Sequence, residues 1–387
     1  MDREVHTTAG REAGATVSCP AGRRSRWTTK INGMRNVRIF LALAAMMAAT
    51  AAASQAPAAL RPPGVKPELV ILDTDIGDDI DDAFALALAL RSPEIDLLGI
   101  TTTYGDTELR ARLVDRFLAE AECPHDLLLP VVPGLPTPHE NVFTQSAYAR
   151  QEARRACGGI APGNLGDLWK DEKIWEKERK NHDAAGFLLR KIRQLYPFQI
   201  TLIAIGPLNN IQTAIERDPA TFHKLKRVVM MGGSIDRGYD GRDGAHRPPD
   251  AEWNVSRDPA GLRALLASGV PVFMMPLDST QIHLETPARE EIFAHGSPLT
   301  DQLTLLYHQW LAGTEGHPLA PTLFDPVAVA YVIHPELCPV KPMRLEVDDK
   351  GFTRPVDGPP NVQVCLQSDE KGFLELLMGR LTGKAAR

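Results

Sequence analysis

The chain has 387 residues, 43% hydrophobic and 24% charged, with 43 Lys and Arg against 49 Asp and Glu for a net charge of −6. Residues 1–56 hold eight Lys and Arg and three Asp and Glu, a net of +5, so the remainder carries about −11. An acidic body of about 330 residues without a basic run argues against nucleic-acid binding and is long enough for one large α/β domain.

Near the start, the basic stretch Met34 to Arg38 precedes an apolar run, Ile39 to Ala53, and small residues allow cleavage after Ala53 or Ala56. This is the pattern of a secretory signal, too short and Ala-rich for a membrane span. Residues 34–56 are therefore expected to be a signal peptide and residues 1–33 a non-native or disordered extension ahead of Met34. Residues 57–67 read as a linker, and a single domain should fill 68–387 of a secreted or periplasmic protein. Cys123, Cys157, Cys338 and Cys365 follow the signal; four cysteines allow three pairings, and their spacing matches no zinc motif.

Strand-like apolar runs then alternate with helical patterns. ELVILDTD predicts a buried strand, DDAFALALALRS the helix after it, and Ile95 to Gly105 a second strand. Thr107 to Ala121 has helical periodicity, and DLLLPVV reads as a third strand. The stretch from about Pro133 to Lys180, rich in Gly, Pro and charge, looks like an insertion or lid. Beyond it come helix DAAGFLLRKIRQL, strand QITLIAIG, helix PLNNIQTAIER, strand KRVVMMGG, helix PAGLRALLAS and strand VPVFMMPLD. The rhythm predicts an α/β fold with a Rossmann-like, mostly parallel sheet, helices on both faces, and a ligand site outside the carboxyl ends of the strands.

The densest chemistry lies at the first of those ends. Six of the ten residues from Asp73 to Asp82 are aspartates, with no Lys or Arg among them. Asp73 and Asp75 alternate at the end of a strand and should share a face near the cleft, while Gly77 permits a tight turn. Asp81 and Asp82 fall in the first turn of the next helix, whose dipole offsets only part of the repulsion. A hard divalent cation with oxygen ligands answers the rest, and Ca²⁺ suits a flexible carboxylate cage better than Mg²⁺. The spacing is not that of an EF-hand: counting from Asp73, the glycine is fifth and the twelfth residue is Phe84.

DTDIGDDIDDA resembles the D-x-D-P-G-x-D-D-A signature of the inosine-uridine preferring nucleoside hydrolase family. The likeness continues, in order, through LGITTTYGD, TLIAIGPLNNI, VVMMGG with AEWNVSRDP, and FDPVAVAYVIHP. It implies the nucleoside hydrolase fold, bound Ca²⁺, a small-molecule ribonucleoside as substrate, hydrolysis of its N-glycosidic bond, and a homodimer or homotetramer. By motif match Asp75 is the general base and a metal ligand, and Asp82, the Ile205 carbonyl and Asp325 complete the protein ligands. Asp81, Asp106, Met231, Glu252 and Asn254 match the substrate-binding positions.

Three departures from the pattern bear on function. GDDIDDA is two residues longer than the short form, which leaves open whether Asp78 or Asp79 takes the role given to Asp81, and Ile76 replaces the usual Pro. Asp106 stands where the pattern has Asn. Phe324 stands where purine-cleaving relatives carry a His that is a candidate acid for the leaving base. Leaving-group contacts must then come from elsewhere, with His317 and the Tyr307-His308-Gln309-Trp310 stretch of a helix over Pro298 to Ala312 as candidates. Two alternatives stand beside the hydrolase. One is a secreted, non-catalytic Ca²⁺- or nucleoside-binding protein. The other is a haloacid dehalogenase-type phosphatase, whose D-x-D pattern wants Thr or Val where Gly77 stands. Asp325 could also simply cap the helix PVAVAYVI.

Overall fold

The computed structural model describes residues 66–121, 129–139, 142–151, 183–241, 245–313 and 320–383. The signal and extension expected over 1–56, together with Cys123, Cys157 and His317, lie outside the described residues.

Eight strands build the central sheet: β1 (Glu68–Thr74), β2 (Ile95–Thr102), β3 (Val131–Pro133), β4 (Ile200–Ile205), β5 (Arg227–Met231), β6 (Val272–Met275), β7 (Val340–Met343) and β10 (Val362–Cys365). A separate ribbon pairs β8 (Leu345–Val347) with β9 (Thr353–Pro355). The sheet order is β3-β2-β1-β4-β5-β6-β10-β7. Neighbours run parallel until the last pair, where β10 and β7 are antiparallel. This is the mostly parallel α/β sheet that the alternating pattern predicts.

β1 shows why the sheet has two dry faces. Val70 and Leu72 enter one core, with α1 (Asp81–Leu90) and α2 (Thr107–Ala121), while Ile71 enters the other, with α3 (Ala184–Gln194), α4 (Asn209–Arg217) and α5 (Pro259–Ala267). Side chains that alternate along a strand buried on both sides must be apolar, and the buried run Val70 to Leu72 of β1 is. α6 (Thr286–Ala294), α7 (Pro298–Gly313), α8 (Pro326–Ile333) and α9 (Glu370–Thr382) complete the first core's helical cover. Thr107–Ala121 and Pro326–Ile333 match the helices read from the sequence residue for residue.

β1 lies between β2 and β4, and the chain proceeds outward in opposite directions from that point. Such a switch point opens a crevice at the carboxyl ends of the strands, because the connections leave on opposite sides. Asp75 follows β1, Ile205 ends β4 and Met231 ends β5. The expectation that Asp73 and Asp75 share a face at the cleft does not hold: β1 stops at Thr74, the turn follows at Ile76 and Gly77, and Asp75 lines the cleft while Asp73 does not. Asp73 instead accepts from the Thr101 hydroxyl and from Asn210 Nδ2 at 2.7 Å, inside the sheet.

Among the described residues a disulfide joins Cys338 to Cys365, tying the segment after α8 to β10.

Candidate active site

A cavity of about 260 Å³ opens at the switch point, lined by Asp75, Asp78, Asp79, Asp81, Asp82, Ile205, Met231, Tyr239, Glu252, Trp253, Asn254, Trp310, Phe324 and Asp325. Its floor is carboxylate. Asp81, Asp82 and Asp325 each offer an oxygen within 4.8 Å of the others, and all three are buried at 3, 4 and 4% exposure. Asp75, 6% exposed, lines the same cavity.

Local chain chemistry brings these groups together. Asp81 and Asp82 open α1, so adjacent residues both project from its first turn. Asp82 Oδ1 accepts from the Thr74 hydroxyl, which also accepts from the Ile76 N–H at 3.0 Å and so closes the turn after β1. Asp325 precedes Pro326 at the start of α8, but its side chain makes no capping hydrogen bond. Its N–H instead donates to Asp81 Oδ2 at 3.1 Å, which joins two segments 244 residues apart and leaves its carboxylate in the cluster. The capping alternative therefore fails on geometry.

Burial is the main force on every one of these acids. It lifts Asp75 to about 7, against the pull of the Arg110 charge and with a further push from Asp78 and Glu252. Asp81 is raised well above the carboxylate range by burial and then by Asp79 and Asp75, Asp82 by burial and then by Asp75 and Asp81. Asp325 rises through burial and then Asp81 and Asp82. Buried, mutually repelling carboxylates are the donor set a hard ion would stabilise. The residues present therefore fit the Ca²⁺ that the motif implies: Asp75, Asp82, Asp325 and Ile205, expected as its ligands, all line the cavity, and Asp81, expected to bind substrate, joins Asp82 and Asp325 as an available oxygen donor.

Opposite the carboxylates, Glu252 caps the short helix Trp253–Arg257 by accepting from Asn254 N and Val255 N, and it also accepts from Gly233 N. Burial lifts it to about 7 against those three N–H groups. Asn254 Nδ2 donates to the Met231 carbonyl at 3.4 Å. Glu252, Asn254 and Met231 thus form one wall. The mouth is aromatic: Tyr239 meets Phe324 edge to face at 6.0 Å, and Trp253 meets Tyr104 in the same way at 6.2 Å.

The structure places three expected site residues off the cavity lining. Asp106 accepts from Leu109 N at 3.0 Å and caps α2. Tyr307 is buried against Phe293 at 5.1 Å, and His308 is exposed beside both of those rings. Trp310, one turn further along α7, does line the cavity. Asp78 lines the cavity too, but its carboxylate is paired with Arg110 at 2.6 Å. Tyr239 and Trp253 line the cavity although neither is among the site positions expected from the sequence. Trp253 sits inside the AEWNVSRDP block, whose motif marks its neighbours, whereas Tyr239 sits in a loop with no periodicity to mark it.

Residues 70–375 match the family model described as inosine-uridine preferring nucleoside hydrolase. Among curated relatives, a non-specific ribonucleoside hydrolase RihC from Escherichia coli is 30% identical over 321 residues, covering 79% of this chain and 95% of that protein. An uncharacterized protein of Schizosaccharomyces pombe is 28% identical over 334 residues, covering 81% and 98%. Among solved structures, the purine-preferring ribonucleoside hydrolase from Gardnerella vaginalis aligns with a TM-score of 0.64 at 25% identity, covering 82% of this chain and 98% of that one. The plant nucleoside hydrolase PpNRh1 shares the fold, with a TM-score of 0.66 at 24% identity, covering 82% and 100%.

Proposed function

The chain belongs to the inosine-uridine preferring nucleoside hydrolase family, enzymes that act on N-glycosyl bonds, and we propose that it cleaves ribonucleosides to free base and ribose with Asp75 as general base beside a Ca²⁺ held by Asp75, Asp81, Asp82, Asp325 and the Ile205 carbonyl. The observation that carries this reading is the buried carboxylate floor, in which Asp81, Asp82 and Asp325 converge within 4.8 Å and Asp75 lines the same cavity. When bound, the ion offsets the carboxylate charge and acidifies a water molecule.

The chain's own residues supply the remainder. The Asp75 carboxylate takes a proton from the attacking water as the water oxygen bonds to the ribosyl carbon and the C–N bond breaks, its electron pair leaving with the base, which gains a proton from the Tyr239 hydroxyl or from solvent. Negative charge on the floor favours the oxocarbenium-like transition state, whose positive charge develops on the sugar. Glu252 and Asn254, fixed by helix capping and by the Met231 carbonyl, face the cavity as partners for ribose hydroxyls. A deoxyribose would leave such buried polar groups unpaired, so ribose is preferred. The base occupies the aromatic mouth of Tyr239, Trp253, Trp310 and Phe324, where stacking replaces the contact a histidine would make. Tyr239 accepts from Trp253 N at 2.9 Å, which leaves its own hydroxyl proton to donate into the cavity.

We also place the protein in a secreted or periplasmic compartment, on the Met34–Ala56 signal pattern and the Cys338–Cys365 bridge. The test is ribose release from purine and pyrimidine ribonucleosides with added Ca²⁺, with a chelator, and for Asp75→Ala. Chelator-sensitive release lost in the variant supports the assignment. No release from any ribonucleoside while Ca²⁺ still binds would favour a binding protein.

A further inference from the structure

The aspartate loop is two residues longer than the short family signature, and the structure shows what holds the extra length. Arg110, on α2, is 2% exposed, and its guanidinium is directed at the loop rather than at solvent. Nη1 donates to the Asp75 carbonyl and, at 3.0 Å, to the Ile76 carbonyl. Nε donates to the Tyr104 carbonyl at 2.9 Å, and Nη2 pairs with Asp78 Oδ2 at 2.6 Å. The Phe143 ring lies over the guanidinium at 4.8 Å.

The residues after Phe143 hold the loop from the other side. Thr144 Oγ1 donates to the Asp78 carbonyl at 2.7 Å and lies 3.0 Å from the Gly77 carbonyl, which accepts from Gln145 N at 3.0 Å, and Gln145 Nε2 donates to the Asp79 carbonyl at 2.7 Å. Arg116, one further buried arginine of α2, holds the end of this strap, with its guanidinium 3.9 Å from the Tyr148 ring and a hydrogen bond from Nη1 to the Tyr148 carbonyl. Every backbone carbonyl from Asp75 to Asp79 is thereby met by a donor from α2 or the strap.

We propose that Arg110 is a positioning residue: its guanidinium fork clasps the enlarged loop, with Asp78 as its counter-charge, and so fixes the carboxylates of Asp75, Asp81 and Asp82 in the geometry that takes up a divalent cation. The proposal rests on the Ca²⁺ reading above. It assigns the first of the two added aspartates to the clasp and not to the ion. A lone positive charge beside a cation site weakens cation binding by repulsion. A clasp does the opposite, because it prevents the loop from relaxing away from its own repulsion. The two effects of one side chain have opposite signs, so they can be separated.

The experiment uses the full chain with Ca²⁺ as the probe, titrated by calorimetry for wild type, Arg110→Lys, Arg110→Met, Asp78→Asn, the Lys/Asn double variant and Asp82→Asn. Amide hydrogen exchange of residues 76–82 is followed in parallel in chelator. Lys keeps the charge but lacks the planar fork, so Arg110→Lys should weaken Ca²⁺ binding about tenfold and speed exchange in the loop. Asp78→Asn should weaken binding less than Asp82→Asn, and the double variant should lose no more than Arg110→Lys alone.

Wild-type affinity in Arg110→Lys with tighter binding in Arg110→Met would overturn the clasp, leaving Arg110 as a bare charge. Loss of Ca²⁺ in Asp78→Asn equal to that in Asp82→Asn would also overturn it, by making Asp78 a ligand. If wild type takes up no Ca²⁺, the metal reading fails, and loop exchange alone decides the clasp: unchanged exchange in Arg110→Lys refutes it.

Discussion

Gly206 follows the Ile205 carbonyl and backs onto Asp75, and replacing it with Ala tests whether the position of Asp75 matters. A Cβ built there would lie 2.8 Å from Asp75 Oδ1, 2.9 Å from Asp75 N and 2.9 Å from Thr103 Cγ2. Ordinary contact begins near 3.4 Å, so the shortfall is about 0.6 Å. It falls on both the backbone and the side chain of Asp75, so a rotamer change cannot relieve it. Arg110 holds the Asp75 carbonyl from the far side. A misplacement of 1 Å at a reacting group costs about a hundredfold, so a displacement of about 0.6 Å should lower kcat roughly ten- to twentyfold. Overpacking of this kind should also cost about 1–3 kcal/mol of stability, a few degrees in Tm for a domain of this size. The assay is ribose release from inosine and uridine at saturating Ca²⁺. KM should change little, because Glu252 and Asn254 lie away from the clash. Wild-type kcat in a folded Gly206→Ala protein would refute the reasoning.

Three further outcomes are expected. On the proposed Ca²⁺ site, removing the ion uncovers the buried carboxylate repulsion, so Tm should fall by about 4 °C relative to a solution holding a hundredfold excess over Kd, corresponding to about 2.7 kcal/mol; calorimetry with and without chelator decides it, and an unmoved Tm would count against the site. Glu68 is pushed up by burial but held below its ordinary 4.5 by the Thr201 hydroxyl, Arg227 and Lys226. Its stabilisation is thus present above about 4.5 and lost as pH falls through the lower folded value, so the Tm advantage of wild type over Glu68→Gln should shrink as pH is lowered from about 7 to about 3; a constant gap would contradict this. Replacing Cys338 and Cys365 by Ser opens a loop spanning 27 residues of sequence separation. This should cost roughly 3.5 kcal/mol, or about 5 °C in Tm, read by thermal denaturation, and a shift under about 1 °C would show that the bridge adds little.

The long elements were legible in the sequence because each is stated by a local pattern. α2 and the buried run of β1 need only periodicity, and the start of α1 is marked by its acidic first turn. The C-terminal strands were not legible. β7 and β9 are four and three residues long and each contains a Pro, which is tolerated at edges and weakens the alternating signal. The motif blocks brought most of the cavity into view, but not the bonding of individual side chains. Asp106 illustrates the limit: an Asp just before a helical run is also an N-cap, and the capping bond is what the structure shows. Arg110 illustrates the opposite case. On the helix it reads as an ordinary charged position, and only contacts 32 to 35 residues back in the chain reveal that it is buried. Tyr239 reaches the cavity through tertiary packing alone, for which no local rule exists.

The hydrogen bond from Asp325 N–H to Asp81 also sets a timetable for the nascent chain. The two residues are 244 positions apart, and closing so long a loop costs about 5 kcal/mol of chain entropy before any contact offsets it. α1 can therefore form early on local contacts, while the third carboxylate arrives only once β4, β5 and β6 have been laid down between them. Until then Asp81 and Asp82 face water, as a solvated pair with little hold on an ion. Capture of the cation should accordingly be a late, cooperative event that registers completion of the sheet, and a chain stalled partway would be recognised by its failure to take up metal.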